Sequence, residues 1–302
     1  MKIINSLIFF LTITAHGEQI SFSSRLIGDA VGFEYIWRGP DKRQIKTEFT
    51  ISKEEIDRGD MEFEGFKKKE VEGKLLDAMR AEGQKIGGLL DVSIVITKTK
   101  EGFNIAAKGP AEKINKACEY LNAREPLIEA ELLKDRYLKG AKNGNVTLVT
   151  PDYKAIANRY ADAMSCVAKS LTKPASSTQR EAITHYLDFI RTIPYSTEFA
   201  NDAQYQTPIG MLIENRGDCD TKAIAFAALM KNFNINVIFL VLPNHMLVGI
   251  AIPAEPGDIT IVDEGVTYVL AENSGPELPP LGEVGIQTLD IIRDGNYSTI
   301  KM

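Results

Sequence analysis

A cysteine stands where a polar loop gives way to a long apolar run, in ENRGDCDTKAIAFAALM from Glu214 to Met230. Gly217 permits a tight turn there, and Asp218 is a residue type that caps helices, so the sequence predicts a helix that begins at Cys219. A thiol in the first turn of a helix lies near the positive end of the helix dipole. This position stabilises the thiolate and predicts a lowered pKa, which would make Cys219 a nucleophile. The alternative is a cysteine that only fills space at a helix start.

A nucleophilic thiol needs a base, and the chain has three histidines. His16 falls in the N-terminal apolar segment, and His185 lies inside a predicted helix, where a structural role is expected. His245 stands between two predicted strands, in LPNHMLVGIAIP, where a side chain can face a cleft and still be held rigidly. We therefore pair His245 with Cys219. Alone, His245 would be interpreted as a surface residue of a hairpin.

The segments TPIGMLIENRGDCDTKAIAFAALMKNFNINVIFLV, NHMLVGIAI and YVLAENSGP together resemble the transglutaminase-like superfamily of papain-type thiol enzymes. In that family a Gly-Asp-Cys motif opens the core helix, a histidine begins a following strand, and an acidic residue ends the next strand. The resemblance covers residues from about Tyr153 to Gly285. It implies that Cys219 is the nucleophile, His245 the base and Glu272 the third member of a catalytic triad.

The third position departs from the family pattern, which more often has Asp followed by Pro and Thr where this chain has Glu272 and Asn273. Asn273 is therefore an alternative third member that would orient the imidazole as Asn does in papain-like enzymes, and Asp263 is a weaker one. The upstream segment YQTP resembles bacterial exported members of the family. Its Gln206 is a candidate donor to the oxyanion beside the backbone N–H of Cys219. The alternative for this glutamine is a surface residue that caps a turn.

The chemistry that the resemblance implies is acyl transfer. Cys219 attacks an amide carbonyl, His245 protonates the leaving amine, and water or another amine resolves the acyl-thioester. Hydrolysis by a cysteine peptidase or amidase is the default expectation, and a transglutaminase-like acyl transferase is the second. The sequence has no cofactor or metal motif; calcium supports some relatives, but no acidic loop of the required kind is present. The alternative from another class is a non-catalytic protein-binding module on the same fold.

The first residues predict export. MKIINSLIFFLTITAHG has a lysine at position 2, an apolar run, and small residues at Ala15 and Gly17, which is the layout of a secretory signal peptide over residues 1–17. The alternatives are a buried strand or an uncleaved anchor. We expect a periplasmic or extracellular protein without a later transmembrane segment, acting on a protein or peptide substrate in the cell envelope. A net charge of −6 and a pI of about 5.3 argue against nucleic acid as a partner.

Three cysteines are an odd number for an exported protein, so one thiol must stay unpaired or pair between chains. Cys118 and Cys166 lie on predicted helix faces, where cysteine acts as a small apolar filler. The sequence leaves open whether these two form a disulfide. Cys219 is then the unpaired one.

The predicted fold class is α+β. Residues 18–138 are predicted to form an N-terminal α+β domain of unknown role, and 139–152 a linker rich in Gly and Asn. Residues 153–302 are predicted to form a transglutaminase-like domain in which the central helix carries Cys219 and packs on an antiparallel sheet. Within the first domain, one helix is predicted from Pro110 to about Leu121 and a second from about Glu125 to Leu138.

Overall fold

The computed structural model describes residues 18–62, 67–99, 102–143, 146–172, 177–197, 206–274 and 279–302, where the chain is a mixed α+β protein with antiparallel sheets. The predicted signal peptide, residues 1–17, lies outside the described residues. The strands are β1 (Glu18–Ile27), β2 (Ala30–Arg38), β3 (Gln44–Ser52), β4 (Ser93–Lys98), β5 (Phe103–Lys108), β6 (Leu138–Asn143), β7 (Val146–Pro151), β8 (Val237–Leu242), β9 (His245–Ile250), β10 (Thr260–Asp263), β11 (Val266–Ala271) and β12 (Ser298–Lys301). The helices are α1 (Lys53–Glu62), α2 (Lys68–Leu90), α3 (Ala111–Lys134), α4 (Tyr153–Tyr160), α5 (Ser165–Ser170), α6 (Gln179–Thr192), α7 (Pro208–Glu214), α8 (Cys219–Lys231) and α9 (Ile286–Arg293).

The chain folds into two compact units. Of the described residues, the first unit contains 18–56, 157–197 and 208–302, and the second contains 57–156 with 206–207. This division differs from the predicted one, in which 18–138 and 153–302 are joined by a linker over 139–152. Most of that segment forms the hairpin of β6 and β7 instead. The β-branched residues of NVTLVT favour a strand, and this preference outweighs the Gly and Asn residues that indicated a linker.

An aromatic face explains why the first strands belong to the first unit. Strands β1, β2 and β3 form one sheet, and apolar side chains alternate along β2. The rings of Tyr35 and Trp37 are buried against Phe189 of α6, with centroids 5.1 Å and 6.0 Å away. The Tyr35 hydroxyl also donates a hydrogen bond to the carbonyl of Leu212 in α7, at 2.9 Å. The alternation of apolar residues in β2 is visible in the sequence. The helix that packs on them, α6, is distant in the sequence and could not be identified from this pattern.

The first unit also contains a five-stranded sheet, in the order β10-β11-β9-β8-β12. Helix α8 packs on β8 and β9, and α6 and α7 pack on α8. Every residue of α8 from Thr221 to Met230 is buried, so this helix is the core of the unit. Ile291 and Ile292 of α9 pack on a second buried cluster of the sheet, which includes Ile238 and Leu240. Helix α9 and edge strand β12 were not predicted.

The second unit is built on two long helices, α2 and α3, with the hairpin of β4 and β5 packed beside α2. Helix α3 runs without a break through Pro126, where the sequence predicts two helices. A proline inside a helix costs about 3 kcal/mol because it removes a backbone hydrogen bond. Leu121 and Ile128, on either side of Pro126, share one buried cluster with Met79 of α2. Burial of both side chains favours the continuous helix.

Candidate active site

Cys219 is the first residue of α8, as predicted, and Asp218 is its N-cap. The Asp218 carboxylate accepts a hydrogen bond from a backbone N–H of the first turn at 2.8 Å. Gly217 differs from its predicted role, since the left-handed residue of the preceding turn is Asn215, with φ of 50°. A Cβ at Gly217 would lie 3.0 Å from Cγ of Met211. The glycine is there because the start of α8 leaves little room for a larger residue.

His245 and Glu272 meet at one end of the five-stranded sheet. His245 begins β9, and Glu272 follows the last residue of the neighbouring antiparallel strand β11. The imidazole Nε2 of His245 lies 2.6 Å from Oε2 of Glu272. The Glu272 side chain is only 3% exposed, whereas that of His245 is 24% exposed. A buried carboxylate therefore holds Nε2, and the imidazole stays accessible to solvent.

The two alternative third members have other partners. Nδ2 of Asn273 donates a hydrogen bond to the backbone carbonyl of Cys219 at 2.9 Å, so this amide holds the start of α8. Asp263 pairs with Lys301, with 3.2 Å between Oδ2 and Nζ. Of the three candidates, Glu272 is the one that contacts His245 among the described residues.

The sulfur of Cys219 lies between three segments of the chain. It donates a hydrogen bond to Oδ1 of Asp220 at 3.3 Å. It accepts one from the backbone N–H of Met246, the residue after His245, and the side chain of Tyr195 lies within hydrogen-bonding reach. No hydrogen bond joins this sulfur to the His245 imidazole in the described chain. The start of β9 thus reaches the thiol, but the predicted thiol–imidazole pair is not formed.

The acid–base state of the thiol differs from the predicted one. Burial, followed by the negative charges of Asp220 and Asp218, raises the pKa of Cys219 to about 12, although the Met246 N–H acts in the opposite direction. The predicted lowering of this pKa by the helix dipole is therefore wrong. The dipole acts as about half a positive charge, whereas two full carboxylate charges and partial desolvation oppose the thiolate. Cys219 is a thiol at neutral pH and needs a base to become a nucleophile.

Two buried cations beside the site were not predicted. Nε of Arg191, near the end of α6, donates a hydrogen bond to the backbone carbonyl of Glu272 at 2.7 Å. Lys222 of α8 is 2% exposed, and its Nζ donates to the carbonyl of Ile193 at 2.5 Å. Burial, with the charge of Arg191 acting in the same direction, lowers the pKa of Lys222 to about 8. One signal for Lys222 exists in the sequence, because it is the single charged residue in the apolar run TKAIAFAALM.

Gln206, the candidate oxyanion donor, is 7% exposed, which contradicts its interpretation as a surface residue. Neither atom of its side-chain amide has a hydrogen-bond partner among the residues that the structure describes. Gln206 belongs to the second unit and Cys219 to the first. Its role as an oxyanion donor stays a prediction. Tyr205, from the same YQTP segment, lies outside the described residues.

The three cysteines are free thiols, so Cys118 and Cys166 form no disulfide. Within the described ranges, no cluster of His, Cys, Asp and Glu side chains could hold a metal ion. The described helices include none that is both long and apolar enough to cross a membrane. Comparison of the chain with protein-family models, curated proteins and solved structures found no match. A functional assignment therefore depends on the chemistry of this site.

Proposed function

We propose that this chain is an exported thiol enzyme of the transglutaminase-like superfamily that cleaves or transfers an amide bond through an acyl-thioester on Cys219. The observation that carries the proposal is the 2.6 Å contact of His245 with the buried Glu272. His245 directly precedes Met246, whose backbone N–H binds the sulfur of Cys219. The proposal is also supported by the arrangement of the first unit, in which a cysteine begins a buried helix that packs on an antiparallel sheet supplying a histidine and an acid.

The mechanism begins with proton transfer from a neutral thiol. Glu272 favours the tautomer of His245 with its proton on Nε2, which leaves Nδ1 as the acceptor. As the sulfur of Cys219 attacks the amide carbon, Nδ1 takes the thiol proton, and the carbonyl oxygen becomes an oxyanion. The imidazolium then gives this proton to the amide nitrogen as the C–N bond breaks. The products are an amine, an acyl-thioester and a neutral imidazole.

The second half of the reaction releases the acyl group. Water or a primary amine attacks the thioester carbon, and His245 removes one proton from the attacking group and returns it to the sulfur of Cys219. Attack by water gives a carboxylic acid, the reaction of a peptidase or amidase. Attack by an amine gives a new amide, the reaction of an acyl transferase. We favour hydrolysis, because water reaches a site in which the imidazole is 24% exposed.

The oxyanion needs hydrogen-bond donors. The backbone N–H of Cys219 is the first candidate, because it lies in the first turn of α8. The N–H groups of a first turn have no partner within the helix and form the positive end of its dipole. We attribute export to the segment over residues 1–17, and the expected substrate is a protein or peptide of the cell envelope.

One observation favours the second candidate function, a non-catalytic binding module on the same fold. The thiol of Cys219 donates to Asp220 rather than to His245, and its pKa is raised. A protonated, half-buried thiol is a poor nucleophile unless a base removes its proton. The two candidates therefore differ in one property: whether His245 activates Cys219 when an acyl donor is present.

Acylation by p-nitrophenyl acetate tests this property. If Cys219 is the nucleophile, the purified chain should release a burst of p-nitrophenolate, and acid-quenched peptides should carry one acetyl group on Cys219 by mass spectrometry. His245→Ala should abolish the burst, and Glu272→Gln should slow it by about a hundredfold or more, because the imidazole loses its orienting charge.

The control variant is Glu283→Gln, which removes an exposed carboxylate from the same unit and should leave the burst unchanged. The binding-module candidate predicts the opposite result. Acetylation of Cys219 would then be slow, and His245→Ala would leave its rate unaltered.

A further inference from the structure

The mechanism above makes no use of Tyr195, which lies beside the thiol. Its backbone forms a parallel bridge with Gly217, two residues before Cys219. Gly217 donates its N–H to the carbonyl of Pro194 at 3.1 Å, and Ser196 donates to the carbonyl of Gly217 at 3.2 Å. These two hydrogen bonds attach the segment after α6 to the start of α8.

A third hydrogen bond holds the same segment from the protein interior. The buried Nζ of Lys222 donates to the carbonyl of Ile193, two residues before Tyr195. Lys222 lies on α8, one turn after Cys219. The backbone that carries Tyr195 is therefore bonded to α8 at two places. This arrangement positions the phenol more rigidly than a loop alone would.

The side chain of Tyr195 combines proximity to the thiol with access to solvent. It is within hydrogen-bonding reach of the Cys219 thiol, and the carboxylates of Asp218 and Asp220 lie near it. The residue is 52% exposed. Burial of part of the ring, and then the negative charges around it, raise the pKa of Tyr195. The phenol is therefore protonated at neutral pH, when it can donate a hydrogen bond to a group that enters from solvent.

We propose that Tyr195 is a further catalytic residue whose hydroxyl donates to the oxyanion, together with the backbone N–H of Cys219. The inference rests on the proposed function. In the tetrahedral intermediate the oxyanion is attached to the carbon that is bonded to the sulfur. A hydroxyl held beside the sulfur in the resting site is therefore also close to the position that this oxygen takes. Protein oxyanion donors of this kind include tyrosine side chains.

The test compares two reactions at the same sulfur in wild type and in Tyr195→Phe, which keeps the ring and the backbone bridge. Acylation by p-nitrophenyl acetate forms an oxyanion, whereas alkylation by iodoacetamide displaces iodide and builds no charge on oxygen. We expect Tyr195→Phe to acylate Cys219 about a hundredfold more slowly, the usual loss for one oxyanion donor, and to be alkylated at the wild-type rate. Tyr195→Trp, whose indole N–H is again a donor, should recover part of the acylation rate.

Tyr186→Phe is the matched control, because it removes a phenol whose partner is Thr172 and should alter neither rate. A parallel fall of acylation and alkylation in Tyr195→Phe would overturn the inference, because the hydroxyl would then act on the thiol. Two unchanged rates would overturn it as well. If wild-type Cys219 is not acylated at all, the proposed function and the inference both fail; if only Tyr195→Phe has no effect, the inference alone fails.

Discussion

Asp220 is the residue that most clearly opposes ionisation of Cys219, after burial itself. Together, the causes raise the pKa of the thiol to about 12, compared with about 8.5 for an ordinary thiol, a difference of about 5 kcal/mol in favour of the protonated form. Asp220→Asn removes the negative charge but leaves the thiol equally buried. We therefore expect the pKa of Cys219 to fall part of the way back toward that of an ordinary thiol. Each unit by which the pKa falls increases the thiolate fraction about tenfold at neutral pH.

The assay is the rate of iodoacetamide alkylation at Cys219 against pH, resolved from Cys118 and Cys166 by mass spectrometry. In wild type the rate should rise about tenfold per pH unit from about pH 6 to pH 10, without a plateau near the ordinary thiol pKa of about 8.5. Asp220→Asn should be alkylated faster at every pH in this range. Asp290→Asn, which removes a carboxylate exposed on α9, should behave as wild type does.

A plateau for wild type at or below about pH 8.5 would refute the reasoning. The thiolate would then exist in the resting site, and the helix dipole would outweigh burial and the two carboxylates. A wild-type profile without a plateau that Asp220→Asn leaves unchanged would refute only the part assigned to Asp220. Burial would then be sufficient to keep Cys219 protonated.

Two further predictions concern stability. Asp218→Ala removes the N-cap of α8 and should lower the free energy of unfolding in urea by about 1 kcal/mol; a loss no larger than that of the surface variant Asp290→Ala would contradict the capping role. Lys222 has a pKa lowered to about 8 from 10.5, so its charge destabilises the fold below pH 8, and this cost disappears as pH rises from about 8 to 10.5. Wild type should therefore gain up to about 3 kcal/mol relative to Lys222→Met over that range. A constant difference between wild type and Lys222→Met would mean that the ammonium of Lys222 is not desolvated.

The candidate triad could be predicted because its members follow local rules. A cap residue before an apolar run indicates where a helix begins, and alternating apolar residues indicate β8, β9 and β11. In an antiparallel sheet, the start of one strand and the end of its neighbour lie side by side. These rules lead from the sequence to Cys219 at a helix start and to the proximity of His245 and Glu272.

The parts that were not predicted depend on contacts between distant segments. Phe189 packs on the aromatic face of β2, although more than a hundred residues separate them in the sequence. No local sequence pattern connects the two. The continuous helix through Pro126 depends on the packing of its flanking side chains on α2. Tyr195 reaches the thiol through a backbone bridge to Gly217, a pairing of two loop residues without strand periodicity. Local propensity cannot identify such contacts.

The charges around the thiol explain how a protonated cysteine can still be compatible with catalysis. In the proposed mechanism, proton transfer from Cys219 to His245 would create a thiolate near two carboxylates, which is unfavourable, and an imidazolium 2.6 Å from Glu272, which is favourable. Arg191 binds the backbone carbonyl of Glu272 through Nε and leaves the carboxylate to His245. In the proposed reaction Glu272 would therefore stabilise the charge that forms on His245, and not the resting thiol. A site arranged in this way would keep the sulfur unreactive until it attacks a substrate carbonyl. Substitution of His245 or Glu272 should therefore change the rate of acylation far more than it changes the pKa of the resting Cys219 thiol.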